Sequence, residues 1–206
     1  MKVVAAWSGG KDSAFALYKA IQEGHKVTNL LTFMHSETVS NFHGIKSELL
    51  NAQAQAIGIP LVKRITTPNK YEQQFKDALR QLKTQGAEGL VTGDIYEVPL
   101  HEEGWLERVC SEVGLKPIRP LWQGDTLQIL KDFINAGFEA TVVRTKGDIL
   151  GEDWLGRQLN KQFLNDLLKL GTVDPCGEQG EYHTFVTNGP NFKNSIKEHY
   201  RQSLPQ

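Results

Sequence analysis

The chain has no run of apolar residues approaching the roughly 18 that a membrane-spanning helix requires, so no membrane span is expected. The apolar stretch Met1–Trp7 is too short for a signal peptide and runs straight into Gly9-Gly10. Cysteine is scarce: Cys110 and Cys176 form neither a CxxC pair nor a metal cluster, which fits a reduced, cytoplasmic compartment. Neither charge is in excess. With 23 Lys+Arg against 24 Asp+Glu the net charge is −1, so no overall basic field exists to hold a phosphate backbone, and nucleic acid is not expected as the main partner. Repeats and low-complexity tracts are absent.

What remains is a plain globular composition. At 206 residues the chain is a little longer than one average domain, and 39% hydrophobic against 23% charged residues suits a core without staples. Its first half alternates β-rich runs with amphipathic segments. Strands are predicted over 3–7, 27–34, 61–65 and 89–95, and helices over 13–23, 45–57 (closed by Gly58), 71–85 and 102–113 (closed by Gly114). Such alternation implies a parallel sheet with helices on both faces. The second half reads differently, with helices over 126–135 and 156–170, strands over 140–144 and 182–186, and little pattern beyond Pro190. Pro117 and Pro120 interrupt the alternation, so the expected organisation is residues 1–118 as a nucleotide-binding domain and 119–206 as a smaller α+β lobe.

The strongest local signal is Ser8-Gly9-Gly10-Lys11-Asp12-Ser13, between the first strand and the first helix. A glycine pair at such a turn lets the backbone approach a ligand closely and point its N–H groups inward. The helix that follows offers unpaired N–H groups and a partial positive charge, which stabilise an anion. Ser8 and Ser13 add hydroxyl donors, Lys11 adds charge, and Asp12 is placed to hold the loop or a metal ion. The spacing fits neither GxxxxGK[ST] nor GxGxxG. It is similar to the SGGxDS pyrophosphate loop of the PP-loop ATP-pyrophosphatases, whose members cleave ATP to AMP and pyrophosphate while adenylating a substrate.

A second constellation lies in Asp174-Pro175-Cys176-Gly177-Glu178-Gln179-Gly180-Glu181-Tyr182-His183-Thr184. Glu178 and Glu181, in a glycine-bearing loop with His183 just beyond, could orient an ammonium nucleophile, act as a base or bind Mg²⁺, or form a solvated turn leading into a strand. Together the two motifs resemble the diphthine–ammonia ligase family of PP-loop ATPases, which joins an SGGKDS loop to a segment of the form DPCGExGE(F/Y)HT. Gly93-Asp94-Ile95, Pro120-Leu121-Trp122, Gly137-Phe138 and Trp154-Leu155-Gly156-Arg157 also fall where that family carries such blocks, and the resemblance runs from Lys2 to Pro190.

That resemblance implies a five-stranded parallel sheet flanked by helices, of the HUP or adenine nucleotide α-hydrolase-like class, with a smaller C-terminal α+β lobe. It implies ATP and Mg²⁺, with Ser8, Gly9, Gly10, Lys11, Asp12 and Ser13 on the phosphates and Asp12 as the metal contact. Glu178, Glu181 and His183 are the implied catalytic residues. The reaction implied is adenylation of a carboxylate and its amidation by ammonia. The acceptor is diphthine on elongation factor 2 in the best-known members. With neither a glutaminase domain nor a cysteine after Met1, ammonia is expected from solution or a separate partner.

Asp94, near the end of the fourth strand, and His43, in the loop 36–44 after the second, lie toward the sheet edge where ligands bind, and are candidate nucleotide contacts. Arg157 suits either a phosphate contact or a surface salt bridge; Trp122 and Trp154 suit either a pocket wall or the core; Cys176 is a weak candidate nucleophile. The segment Gly93–Trp105, with His101 and Trp105, departs from the archaeal and eukaryotic pattern and looks more like bacterial-type relatives. For those a small-molecule carboxylate, such as a cobalamin precursor, is the alternative acceptor. A nucleotide-binding regulator and a tRNA-modifying enzyme are further alternatives on the same loop.

Overall fold

The computed structural model describes residues 1–40, 44–97 and 102–203. Among them, β1 (Lys2–Ala6), β2 (Lys26–Met34), β3 (Leu61–Ile65), β4 (Gly89–Val91) and β5 (Lys116–Ile118) form a parallel sheet in the order β3-β2-β1-β4-β5. The helices between them are α1 (Lys11–Gln22), α2 (Ser47–Ile57), α3 (Tyr71–Thr84) and α4 (Trp105–Val113). This is the expected α/β sheet. Residues alternate along each strand, so β1 sends Val3 and Ala5 to the face covered by α1 and α2, and Val4 to the face covered by α3 and α4.

Pro117 does not end the alternation; it sits inside β5. Proline lacks an N–H and is tolerated there because β5 is an edge strand. The fourth strand is shorter than predicted and leaves Asp94 in the loop beyond it. That loop is held where Gly93 packs on the first turn of α1: a Cβ at Gly93 would lie 2.6 Å from the Asp12 carbonyl carbon.

The second half supplies α5 (Thr126–Asn135), β6 (Glu139–Thr145), α6 (Lys161–Leu170), β7 (Tyr182–Asn188) and α7 (Lys197–Ser203), with β6 and β7 antiparallel. The helix predicted from Gly156 starts only at Lys161, because Asn160 caps it by accepting from the Phe163 amide at 2.9 Å. Residues 156–159 instead run beside β6, with Gly156 donating to the Val142 carbonyl and Leu159 to that of Ala140. The tail after Pro190, unpatterned in sequence, forms α7 because Tyr200 stacks on Phe185 of β7, ring centroids 5.2 Å apart. Phe15 of α1 meets Phe133 and Phe138 edge-on at 6.0 and 6.1 Å, so the second half shares one apolar core with the α1/α2 face of the sheet. No helix among the described residues is long and apolar enough to cross a membrane.

Candidate active site

β1 ends at Ala6 and α1 begins at Lys11, so Ser8–Ser13 comprises a tight turn at the carboxyl edge of the central strand and the first residues of α1. Gly9 adopts φ +82°, a left-handed conformation that favours glycine. The Ser13 hydroxyl folds back to donate to the Gly10 carbonyl at 3.0 Å and accepts from the Ser8 hydroxyl at 3.1 Å. Both serines therefore shape the loop.

The second motif is brought onto this loop from the far end of the chain. The Lys11 amide donates to Thr184 Oγ1 at 3.0 Å, and Val186 N–H donates to the Gly9 carbonyl at 3.0 Å. Lys11 Nζ donates to Asp12 Oδ2 at 2.8 Å and to the Cys176 carbonyl, and lies 5.4 Å from the centre of the Tyr182 ring. Burial works against the Lys11 charge, but Asp12 and the surrounding acceptors outweigh it and hold the ammonium charged. A cavity of about 200 Å³ opens at this seam, lined by Gly10, Lys11, Asp12, Glu178, His183 and Thr184 among others.

The two glutamates take different positions. Glu178 lines the cavity, and burial, reinforced by the negative charge of Asp12, pushes its carboxyl up to about 7. Glu181 is buried away from it: Oε1 accepts from the Asp174 amide and Oε2 from the Gln179 amide, both at 2.9 Å. Asp174 winds the same loop, accepting from the Cys176 amide at 2.8 Å and from Thr126 Oγ1 at 2.8 Å. His183, half-buried on β7, lines the cavity; burial and the nearby cations Arg144 and Lys11 push its imidazole down, toward the neutral form. Asp94 is half-buried, and burial, with Glu97 and Asp12 nearby, pushes its carboxyl up.

Asp12 Oδ1 is buried and makes no hydrogen bond in the structure. Among the described residues no group of three or more His, Cys, Asp or Glu could hold a metal ion alone. The unpartnered Asp12 carboxylate oxygen at the loop is of the kind that an ion such as Mg²⁺ takes, together with phosphate oxygens and water.

Residues 1–117 match the family described as diphthamide synthase N-terminal domain, and residues 125–203 match the diphthamide synthase C-terminal domain. The chain belongs to the diphthamide synthase family. Its relatives include the diphthine--ammonia ligases of Mus musculus, 28% identical, and Homo sapiens, 27% identical, each covering 95% of this chain and 82% of that protein. The diphthine--ammonia ligase of Schizosaccharomyces pombe is 28% identical over 95% of this chain but only 36% of its own length. This diphthamide synthase family member is thus an enzyme of the ATP-dependent amide ligase class. A crystal structure from Methanocaldococcus jannaschii, described as a predicted subunit of tRNA methyltransferase, shares the fold at 16% identity and TM-score 0.54, covering 92% of this chain and 98% of that one.

Arg157, Trp122 and Trp154 are not among the residues lining the cavity of this diphthamide synthase family member, whereas Cys176 is. Arg157 pairs with Asp166 at 2.5 Å and stacks on Trp154, which is itself buried against Phe163. Trp122 lies under the Arg119 guanidinium at 3.8 Å. Cys176 is buried with its thiol donating to the Thr126 carbonyl, and burial pushes that thiol far up, which disfavours the thiolate a nucleophile needs; its carbonyl accepts from Lys11 Nζ. His43 and His101 lie outside the described residues. Sequence reasoning gave no role to Thr184 or to Gln53, the buried polar residue on the apolar face of α2. A glutamine among leucines and alanines at helical spacing was the available signal.

Proposed function

We propose that the protein activates the carboxylate of diphthine with ATP and amidates it with ammonia in the cavity between the Ser8–Ser13 loop and residues 176–184. One observation carries this reading: the phosphate-type loop and Glu178, whose carboxyl titrates at about 7, line the same cavity. A base poised near neutrality beside an anion cradle suits a reaction that needs both.

The carboxylate oxygen attacks the α-phosphorus of ATP, and pyrophosphate leaves with the electron pair of the broken P–O bond. The Gly10 amide, the N-terminus of α1 and Ser8 stabilise the charge that builds on the leaving phosphates. Lys11, fixed by Asp12 and the Cys176 carbonyl, adds a positive charge at the loop. Asp12, with Asp94 nearby, would hold Mg²⁺, which supplies charge neutralisation on the polyphosphate. Ammonia then attacks the acyl carbon of the adenylate, AMP departs on its phosphate oxygen, and the proton lost by nitrogen passes to Glu178. Neutral His183 accepts a hydrogen bond from the incoming nucleophile. Glu181 acts through the loop it closes, as a positioning residue. The two buried free cysteines fit a cytoplasmic enzyme.

Product analysis with α-labelled ATP, Mg²⁺ and ammonium tests the reading, with cell extract added as separate protein and small-molecule fractions. Labelled AMP formed with the protein fraction is expected. AMP formed only with the small-molecule fraction would replace diphthine by a metabolite carboxylate, and ADP with orthophosphate would remove the adenylation chemistry.

A further inference from the structure

We propose that Gln53 is a positioning residue for the phosphate loop: by pinning the Gly9 carbonyl it sets the Gly9–Gly10 peptide so that the Gly10 amide faces the cavity. The proposal rests on reading Ser8–Ser13 as the cradle for the phosphates of ATP. Gln53 is fully buried on a face of α2 that otherwise presents Leu49, Leu50, Ala54 and Ile57. A carboxamide in such surroundings is costly unless every polar atom is bonded.

Here every atom is. Oε1 accepts from the Trp7 indole N–H at 2.9 Å, while Nε2 donates to the Gly9 carbonyl at 3.0 Å and to the Val186 carbonyl at 2.7 Å. The indole fixes which way round the amide lies, because it can only donate and so selects the oxygen. One side chain thus joins the end of β1, the loop and β7.

The Gly9 carbonyl receives a second donor, the Val186 amide at 3.0 Å. In a trans peptide the carbonyl and the following N–H point in opposite directions. Two donors on Gly9 O, both from the α2/β7 side, therefore turn the Gly10 N–H the other way, where Gly10 lines the cavity. Among the described residues the Gly10 amide itself meets only Ser8 Oγ, at a long 3.3 Å. Between two glycines the peptide has little steric restraint of its own, and a flipped peptide would present a carbonyl oxygen to the anion. Gly9 is also needed for this approach: a Cβ there would sit 2.8 Å from Gln53 Oε1.

Q53M keeps the length and bulk of the side chain and removes both donated bonds. Calorimetric binding of inorganic pyrophosphate and of ATP to the full chain is expected to weaken about tenfold in Q53M, the scale of a lost buried hydrogen bond or two. The KM for ATP should rise while the KM for ammonium stays unchanged. Q53E, which sets a carboxylate against two carbonyls, should bind more weakly than Q53M. Unaltered pyrophosphate affinity in Q53M, or equal rises in both KM values, would overturn the positioning role. If wild type binds neither pyrophosphate nor ATP, the reading of the loop falls and this proposal with it. W7F covers the case in which the Gln53 variants fail to fold: it leaves the carboxamide in place but frees its orientation. A loss of a few fold in pyrophosphate affinity is expected for W7F, with no further loss when it is combined with Q53M; unchanged affinity in W7F would count against the proposal.

Discussion

Glu178 and Glu181 share a loop, yet one lines the cavity and the other is tied into the backbone. Glu178 titrates at about 7, above its ordinary 4.5, so the folded protein binds that proton more tightly than the unfolded chain does. Its contribution to stability is complete below pH 4.5 and is lost as pH rises through 7. E178Q cannot ionise. At pH 8 without nucleotide it should therefore be more stable than wild type, by on the order of 1 kcal/mol after allowance for solvent screening, or about 2–4 °C in Tm. The two should converge at acid pH in a series of melts. Turnover should move the other way: wild-type activity rises with pH through about 7 as the base ionises, and E178Q loses roughly 10²–10⁴-fold while still binding ATP. In E181Q the amide NH₂ faces one of the two backbone donors that the carboxylate now satisfies, and a loss of about 1–3 kcal/mol of stability is expected. A variant pair that moved together would show that the two residues had been assigned wrongly.

At the scale of elements, the site depends on how closely β4 and α1 approach. Gly93 has no room for a side chain, since a Cβ would also lie 2.8 Å from the Ser13 amide nitrogen. G93A should push the first turn of α1 away from the sheet edge, lowering stability by about 1–3 kcal/mol and weakening ATP binding measured by calorimetry. Retained ATP affinity in G93A would show that the start of α1 tolerates displacement. Element ends were largely legible in the sequence where a local signal fixes them. Gly58 and Gly114 close α2 and α4 in left-handed conformations, φ +82° and +74°. Asn160 is a less conspicuous signal, and the helix expected from residue 156 begins only after it, at Lys161. β5 and α7 lacked a local signal: one is three residues with a proline, the other a polar stretch whose Tyr200 finds its partner on β7.

The molecule as a whole holds its two sheets through a common apolar core, in which Val3 and Ala5 of β1 belong to the same cluster as Phe163 of α6 and Phe185 of β7. Urea unfolding is therefore expected to follow one transition, with tryptophan fluorescence and far-ultraviolet circular dichroism coinciding. Two separated transitions would mean that the halves fold independently and that the site is assembled by docking. The sequence alone determined the parallel sheet, because strand and helix periodicities are properties of neighbouring residues. It also determined the Ser8–Ser13 turn, because a glycine pair between a strand and a helix start is a feature of consecutive residues. Only the tertiary structure decided which glutamate faces the cavity, that the Cys176 carbonyl receives Lys11, and that Gln53 ties the loop to β7. Those outcomes depend on groups such as Lys11 and Thr184, 173 positions apart in the chain. Burial and hydrogen-bond satisfaction at such a seam are set by packing, which no local pattern encodes.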